Sequence, residues 1–272
     1  MSVCHTIHPS LTEEFHVTLV GAGGSGSQML TCLGRLHRAI TALGHPGFDV
    51  SVFDPDTVSE ANVGRQMFAP ADVGLHKASV LVHRVNQFFG LAWMARAHAF
   101  PHSSASGTLV ISCVDTTSAR RRIDSFLKER WSHTYLLDLG NRAADGQAVL
   151  GEYFGRKDRN TEYTPPAGSL NLPSPYALLP ELLATNTKDD APSCSLAEAL
   201  ERQELFVNDD VVRAGCQILW NLLRHGQISW HGAFVNCKTG RRTPLPVDPE
   251  TWQRMTATPT TKSSTKTRRK AA

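Results

Sequence analysis

VTLVGAGGSG, residues 17–26, is an apolar run that stops at a glycine-rich turn, and a helical pattern follows from Ser27 to Ala42. Apolar strand, tight turn and helix in that order open a βαβ unit, so the stretch predicts a parallel sheet. The same alternation continues downstream. Strand-like runs recur at Val50–Phe53, Thr108–Ser112 and Tyr135–Leu139, with helical patterns at Lys77–Phe89 and Ser118–Arg130. A further strand is expected at Gln147–Tyr153, a strong amphipathic helix at Asn208–Arg224, and a late antiparallel strand at Ile228–Asn236. The expected fold is therefore α/β and Rossmann-like. It has a mostly parallel sheet with helices on both faces, extended by a few antiparallel strands in the C-terminal half. No internal repeat is present.

Within the turn, Gly21, Gly23 and Gly26 have GxGxxG spacing. The first glycine permits the turn, the second lets the backbone approach a phosphate, and the third lets helix and strand pack closely. The helix start would direct free N–H groups and its positive end at an anion. By itself this pattern is common. It gains specificity from DPDTVSEANVGRQ, residues 54–66, one βαβ unit later. Asp54 ends the second strand, where a carboxylate accepts hydrogen bonds from ribose hydroxyls. Asn62, Arg65 and Gln66 follow, Lys77 opens the next helix, and Asp115 follows the third strand in ISCVDTTSARRR. All fall at or just beyond strand C-termini, the edge where open α/β sheets bind ligands. Two cations and a carboxylate suit a nucleoside triphosphate with Mg²⁺ better than a nicotinamide.

These stretches resemble the ThiF/MoeB/HesA superfamily, which includes the activating enzymes of ubiquitin and ubiquitin-like proteins. GAGGSG corresponds to its GxGGxG and DPDTVSEANVGRQ to its D-x-D-x-V-x-x-x-N-x-x-R-Q block. GLHK supplies the lysine after a glycine-containing loop, and CVDTTSARRR the aspartate after the third strand. The resemblance covers residues 14–130 and, more weakly, 190–236. It implies that Gly21, Gly23, Gly24 and Gly26 cradle ATP and that Asp54 binds its ribose. Asn62, Arg65 and Lys77 would hold the triphosphate, and Gln66 would also contact the nucleotide. Asp115 would bind Mg²⁺ and be essential for adenylation, with Arg65, Lys77 and Asp115 as the catalytic set. The implied reaction adenylates the C-terminal carboxylate of a small ubiquitin-like β-grasp protein. The resemblance also implies a homodimer and a conjugating-enzyme-like acceptor. In size and basic tail the chain is most similar to the ThiF-family proteins of bacterial PRTRC (ParB-related, ThiF-related cassette) systems.

The run PSCSL, residues 192–196, resembles the P-x-C-T-[IL] segment around the family's thioester cysteine. Cys194 is thus a candidate nucleophile toward the acyl-adenylate, since a thiol at a helix start can have a lowered pKa. Equally, it is one of six scattered thiols, and Cys32, Cys113 and Cys216 fall on element faces where burial is expected. The chain departs from the family in lacking both the paired CxxC zinc motif of MoeB and ThiF relatives and their N-terminal RYxRQ segment.

The expected organisation is a single adenylation domain, residues 1–253. A nucleotide-binding half (14–145) precedes a C-terminal half (146–253) that includes a Pro-rich crossover loop (155–193). Residues 254–272 read as a disordered basic tail with six basic residues and no acidic one. Setting that tail aside leaves 22 basic against 25 acidic residues, so the body carries −3 although the chain carries +3. Such a tail can touch nucleic acid or simply solubilise. No apolar run approaches the roughly 18 residues of a membrane span, and the N-terminus lacks a basic region followed by an apolar stretch. A cytoplasmic protein without membrane contact is expected. Three other readings stay open: a nicotinamide-dependent oxidoreductase, a non-catalytic ATP-binding subunit that recognises a ubiquitin-like partner, and an enzyme that activates a tRNA base.

Overall fold

A computed structural model of the chain describes residues 3–101, 107–155, 164–184, 201 and 203–257. An eight-stranded sheet organises it. Its parallel part holds β2 (Phe15–Val20), β3 (Phe48–Phe53), β4 (Met94–Arg96), β5 (Leu109–Ser112) and β6 (Thr134–Asn141). β7 (Asp145–Tyr153), β9 (Trp230–Asn236) and β10 (Arg241–Pro246) continue it antiparallel from β6 outward. The order is β10-β9-β7-β6-β5-β2-β3-β4. A separate two-stranded ladder pairs β1 (His5–Thr6) with β8 (Gln227–Ile228). The inner parallel strands, such as β5 and β6, are buried on both faces, which is why they read as apolar runs, whereas the edge strand β4 is partly exposed.

One face carries α1 (Gly24–Ala42), α2 (Lys77–Phe89) and a long C-terminal helix, Val207–His225. Met29, Leu30, Leu33, Ala78, Leu81, Val211, Ile218 and Leu222 pack there against Val17, Leu19, Val52, Ile111 and Leu137. The other face carries α3 (Thr117–Glu129) and the short α4 (Pro175–Leu178), with Ile123, Leu127 and Tyr176 against Val20, Val110 and Leu136. The Val207–His225 helix is α5 in chain order, and α6 (Pro249–Thr256) closes the described chain. Among the described residues no helix is long and apolar enough to cross a membrane.

The α/β expectation and its parallel sheet are borne out, and helix α2 has the expected bounds. Several expectations need correction. The proline-rich stretch is not a structureless loop throughout. Its described part, 164–184, forms α4 and the 3₁₀ turn Pro180–Leu183, and it buries Leu172, Tyr176, Leu178 and Leu179. Prolines at the first helical position start these turns, so the residues that suggested a loop in fact begin helices. The late strand divides at Ser229 into β8 and β9, each with a different partner. β10 and α6 went unread, and α6 takes in Arg254 to Thr256, where the tail was expected to start. Cys194 and residues 258–272 lie outside the described residues.

Candidate nucleotide site

β2 lies at the centre of the parallel strands. From it the chain moves to β3 and β4 on one side, then returns to β5 and β6 on the other. The order therefore reverses between β2 and β5, and a crevice opens beyond their C-terminal ends. The glycine turn follows β2 and Asp115 follows β5, so two motifs separated by most of the nucleotide-binding half face one crevice.

Sterics fix two of the glycines. Gly21 has φ +94°, and a Cβ there would lie 2.7 Å from the Cys113 carbonyl oxygen. At Gly26, on the first turn of α1, a Cβ would lie 1.9 Å from the Gly21 carbonyl oxygen, so no side chain fits. Nothing lies within 4 Å of the Cβ position of Gly23, which leaves space beside the turn. α1 starts from Gly23 without a side-chain cap and without an acidic residue in its first turn. Its first N–H groups and its positive end are thus available to an anion.

Asp54 is 5% exposed and clamps this turn. One carboxylate oxygen accepts the Ala22 N–H at 2.6 Å and the other the Asp56 N–H at 2.8 Å. Burial raises its pKa, against the lowering effect of those two N–H groups and of Lys77. Each oxygen keeps a lone pair for a hydroxyl donor. Lys77 is buried at the start of α2 and its Nζ donates to Asp56 Oδ2 at 3.1 Å. The Asn62 side-chain oxygen accepts the Ser59 N–H at 3.0 Å and stabilises the short turn before Arg65. Gln66 is buried, and its side-chain oxygen has no hydrogen-bond partner among the described residues.

Arg65 differs from every other cation at the crevice. It is half-buried, and among the described residues its one hydrogen bond runs from a terminal guanidinium nitrogen to Gln203 Oε1 at 3.1 Å. Its Nε is buried without a partner, and among the described residues it forms no salt bridge. Burial lowers its pKa, and the negative charge of exposed Asp115 partly offsets that. The result is a partly desolvated cation with no salt-bridge partner among the described residues, a costly arrangement that an incoming anion would relieve.

The structure thus brings the glycine turn, Asp54, Asn62, Arg65, Gln66, Lys77 and Asp115 to the C-terminal edge of the parallel strands. Cys194 lies outside the described residues. Sequence reasoning missed three residues on the floor of the crevice: Ser25, Gln203 and Asn208. Asn208 had a legible signal, since it falls in phase with Val211, Val212 and Gly215 on the buried stripe of α5. Gln203 had none. A cavity of about 310 Å³ lined by Ile40, Leu43, His45, Leu223, Arg224 and His225 lies elsewhere, at the C-terminal ends of α1 and α5. α1 is 19 residues long, so that cavity is roughly 28 Å from the glycine turn.

Residues 10–150, more than half of the chain, match the ThiF family. The chain belongs to the ThiF family. The matched region runs from before β2 into β7 and includes every candidate nucleotide residue except the thiol. Among solved structures, PaaA superposes with a TM-score of 0.54 at 12% identity, over 88% of this chain and 74% of that one. E. coli MccB superposes at 0.55 and 10% identity, over 87% of this chain and 63% of its own. The crystal structure of E. coli MccB with MccA gives 0.54 at 12% identity, over 87% and 64%. This ThiF-family chain therefore spans less than two thirds of the MccB chain, and at these identities the likeness is one of fold. Comparison with curated proteins gives no match.

Proposed function

We propose that the protein is an ATP-dependent adenylating enzyme acting on the C-terminal carboxylate of a small protein or peptide. The observation that carries this reading is Arg65, a half-buried guanidinium with no salt-bridge partner among the described residues, beside an uncapped helix start and facing Asp115. A triphosphate supplies the charge that Arg65 lacks. Membership of the ThiF family and the likeness to MccB, whose structures include one with AMPCPP and MccA, support the same reading.

In this reading the glycine turn and the α1 N-terminus receive phosphate oxygens, and the free lone pairs of Asp54 accept the ribose hydroxyls. Arg65 and Lys77 neutralise the β- and γ-phosphates, with Lys77 shifting from Asp56. The partner's carboxylate attacks the α-phosphorus, the bond to the β-phosphate oxygen breaks, and pyrophosphate leaves with that electron pair. Asp115, an exposed carboxylate at the crevice, fits a hard cation. Mg²⁺ held there would spread the charge on the phosphate oxygens. The work of the chain is positioning and fixed charge.

The substrate we favour is a ubiquitin-like β-grasp protein, with the chain acting as a homodimer. Cys194 would take the acyl group as a thioester, from which a conjugating-enzyme-like protein could receive it. Chain length and the basic tail support kinship with the PRTRC-system members of the family. A nicotinamide-linked oxidoreductase gives Arg65, Lys77 and Asp115 no task and is not favoured.

Calorimetric titration with MgATP against NAD⁺ tests the reading without knowledge of the partner. The expected result is MgATP binding that weakens on Asp54→Ala, with no NAD⁺ signal. NAD⁺ binding without ATP binding would sink it.

A further inference from the structure

Four polar side chains from three separate parts of the chain form a continuous path beneath the crevice. The Ser25 hydroxyl, on the first turn of α1, donates to Asn208 Oδ1 at 2.9 Å. Asn208 Nδ2 approaches Gln203 Oε1 at 3.5 Å, and the same oxygen accepts from Arg65 at 3.1 Å. Gln203 Nε2 donates to the Arg142 carbonyl at 3.2 Å, in the turn between β6 and β7. Asn208 reaches this position only because residue 24 is glycine, where a Cβ would lie 2.8 Å from Asn208 Nδ2.

We propose that Gln203 is a positioning residue that holds the Arg65 guanidinium toward the triphosphate, and that Asn208 couples that hold to the glycine turn. The inference rests on the nucleotide reading above. The orientation of the Gln203 amide follows from its neighbours. Guanidinium is donor-only and a backbone carbonyl is acceptor-only, so the amide oxygen must face Arg65 and the amide nitrogen must face Arg142. A neutral acceptor at this point orients the guanidinium and leaves its charge intact. A carboxylate in the same place would neutralise that charge and compete with phosphate.

The test is calorimetric titration of the whole protein with MgATP and, separately, with AMP, which lacks the phosphates assigned to Arg65. Thermal unfolding is measured in parallel. Gln203→Ala should weaken MgATP about tenfold, the scale of one charge-assisted hydrogen bond. AMP affinity should not change, and in an Arg65→Ala background Gln203→Ala should cause no further loss. Gln203→Glu, which keeps the shape and the acceptor, should also weaken MgATP selectively by pairing with Arg65, and it serves if the alanine variant does not fold. Unchanged MgATP affinity in both variants would overturn the proposal. So would equal losses for MgATP and AMP, or a full additional loss in the Arg65→Ala background. Wild-type protein that binds neither nucleotide would overturn the nucleotide reading, and this inference with it.

Discussion

Arg65 and Arg120 flank the same crevice, and their surroundings push them in opposite directions. Arg120 lies in α3 with its Nε on Asp138 Oδ1 at 3.2 Å, and that carboxylate oxygen also accepts from Ser112 at 2.8 Å and Tyr176 at 3.0 Å. Burial disfavours the charge of Arg120, but Asp138 outweighs it and the pKa rises. Arg65 is disfavoured by burial too, yet among the described residues it meets a neutral amide and a more distant carboxylate, and its pKa falls. Both are arginines with substantial burial, so burial alone does not separate structure from function. What separates them is whether the fold has already supplied a counter-charge. Where it has, the residue holds elements together: Arg120 joins α3 to β6, and Tyr176 brings α4 to the same carboxylate. Where it has not, the site still has room for a ligand.

The sharpest break in this comparison comes from removing each charge in turn. Arg65→Ala should weaken MgATP roughly ten- to hundredfold in calorimetry, from one or more lost charge-assisted hydrogen bonds. Once a carboxylate substrate is in hand, Arg65→Ala and Asp115→Asn should each slow pyrophosphate exchange on the order of 10²–10⁵-fold. Neither should lower the thermal midpoint. A stability loss in Arg65→Ala matching that of an Arg120 variant would erase the distinction drawn here.

Arg120→Met should show the reverse. It strands Asp138, which is fully buried, and should cost about 3–5 kcal/mol in urea denaturation. Combining it with Asp138→Leu removes the stranded charge and should recover much of that loss. An unmoved midpoint in the single variant would show that the pair does not hold the fold.

The antiparallel side offers a third contrast, a titratable group closed on both sides. His231 is fully buried. Its Nδ1 donates to the Leu150 carbonyl at 2.6 Å, and its Nε2 accepts the Trp252 indole N–H at 2.9 Å, which anchors α6. Burial pushes its pKa down to about 4. The unfolded chain, at about 6.5, therefore takes up the proton first as pH falls. The stabilisation is complete above about pH 6.5 and is lost as pH drops toward 4, by at most about 3 kcal/mol. His231→Gln should flatten the dependence of the unfolding midpoint on pH across that window, and an unchanged slope would count against it. The smallest effect is expected at Thr116, which caps α3 by accepting the Ala119 N–H at 3.3 Å just after Asp115. Thr116→Ala should cost about 1 kcal/mol and little nucleotide affinity. A large affinity loss would mean that the cap itself sets the position of Asp115.

The sheet was legible because parallel strands buried on both faces leave continuous apolar runs such as Val17–Val20, and because a glycine turn and helix follow the first of them. The nucleotide motif was legible because its residues keep fixed offsets from strand ends. The polar floor of the crevice was not. Gln203 has no periodic or compositional mark, and its importance depends on an arginine far away in the chain. Asp138, in contrast, is a lone acid inside an apolar strand, and a buried acid requires partners. The sequence raised that question but could not name Ser112, Arg120 and Tyr176. The proline-rich stretch misled because prolines at a first helical position look like loop signals until the apolar side chains that follow them, Tyr176, Leu178 and Leu179, are seen to be buried.

The sequence by itself determined the βαβ frame, the glycine turn and the set of charged residues at strand ends, because local periodicity and steric demands are written residue by residue. The tertiary structure decided which of those charges are spent. Pairing Lys77 with Asp56 and Arg120 with Asp138 while leaving Arg65 on a neutral amide depends on distances between distant segments, and only the folded chain sets those.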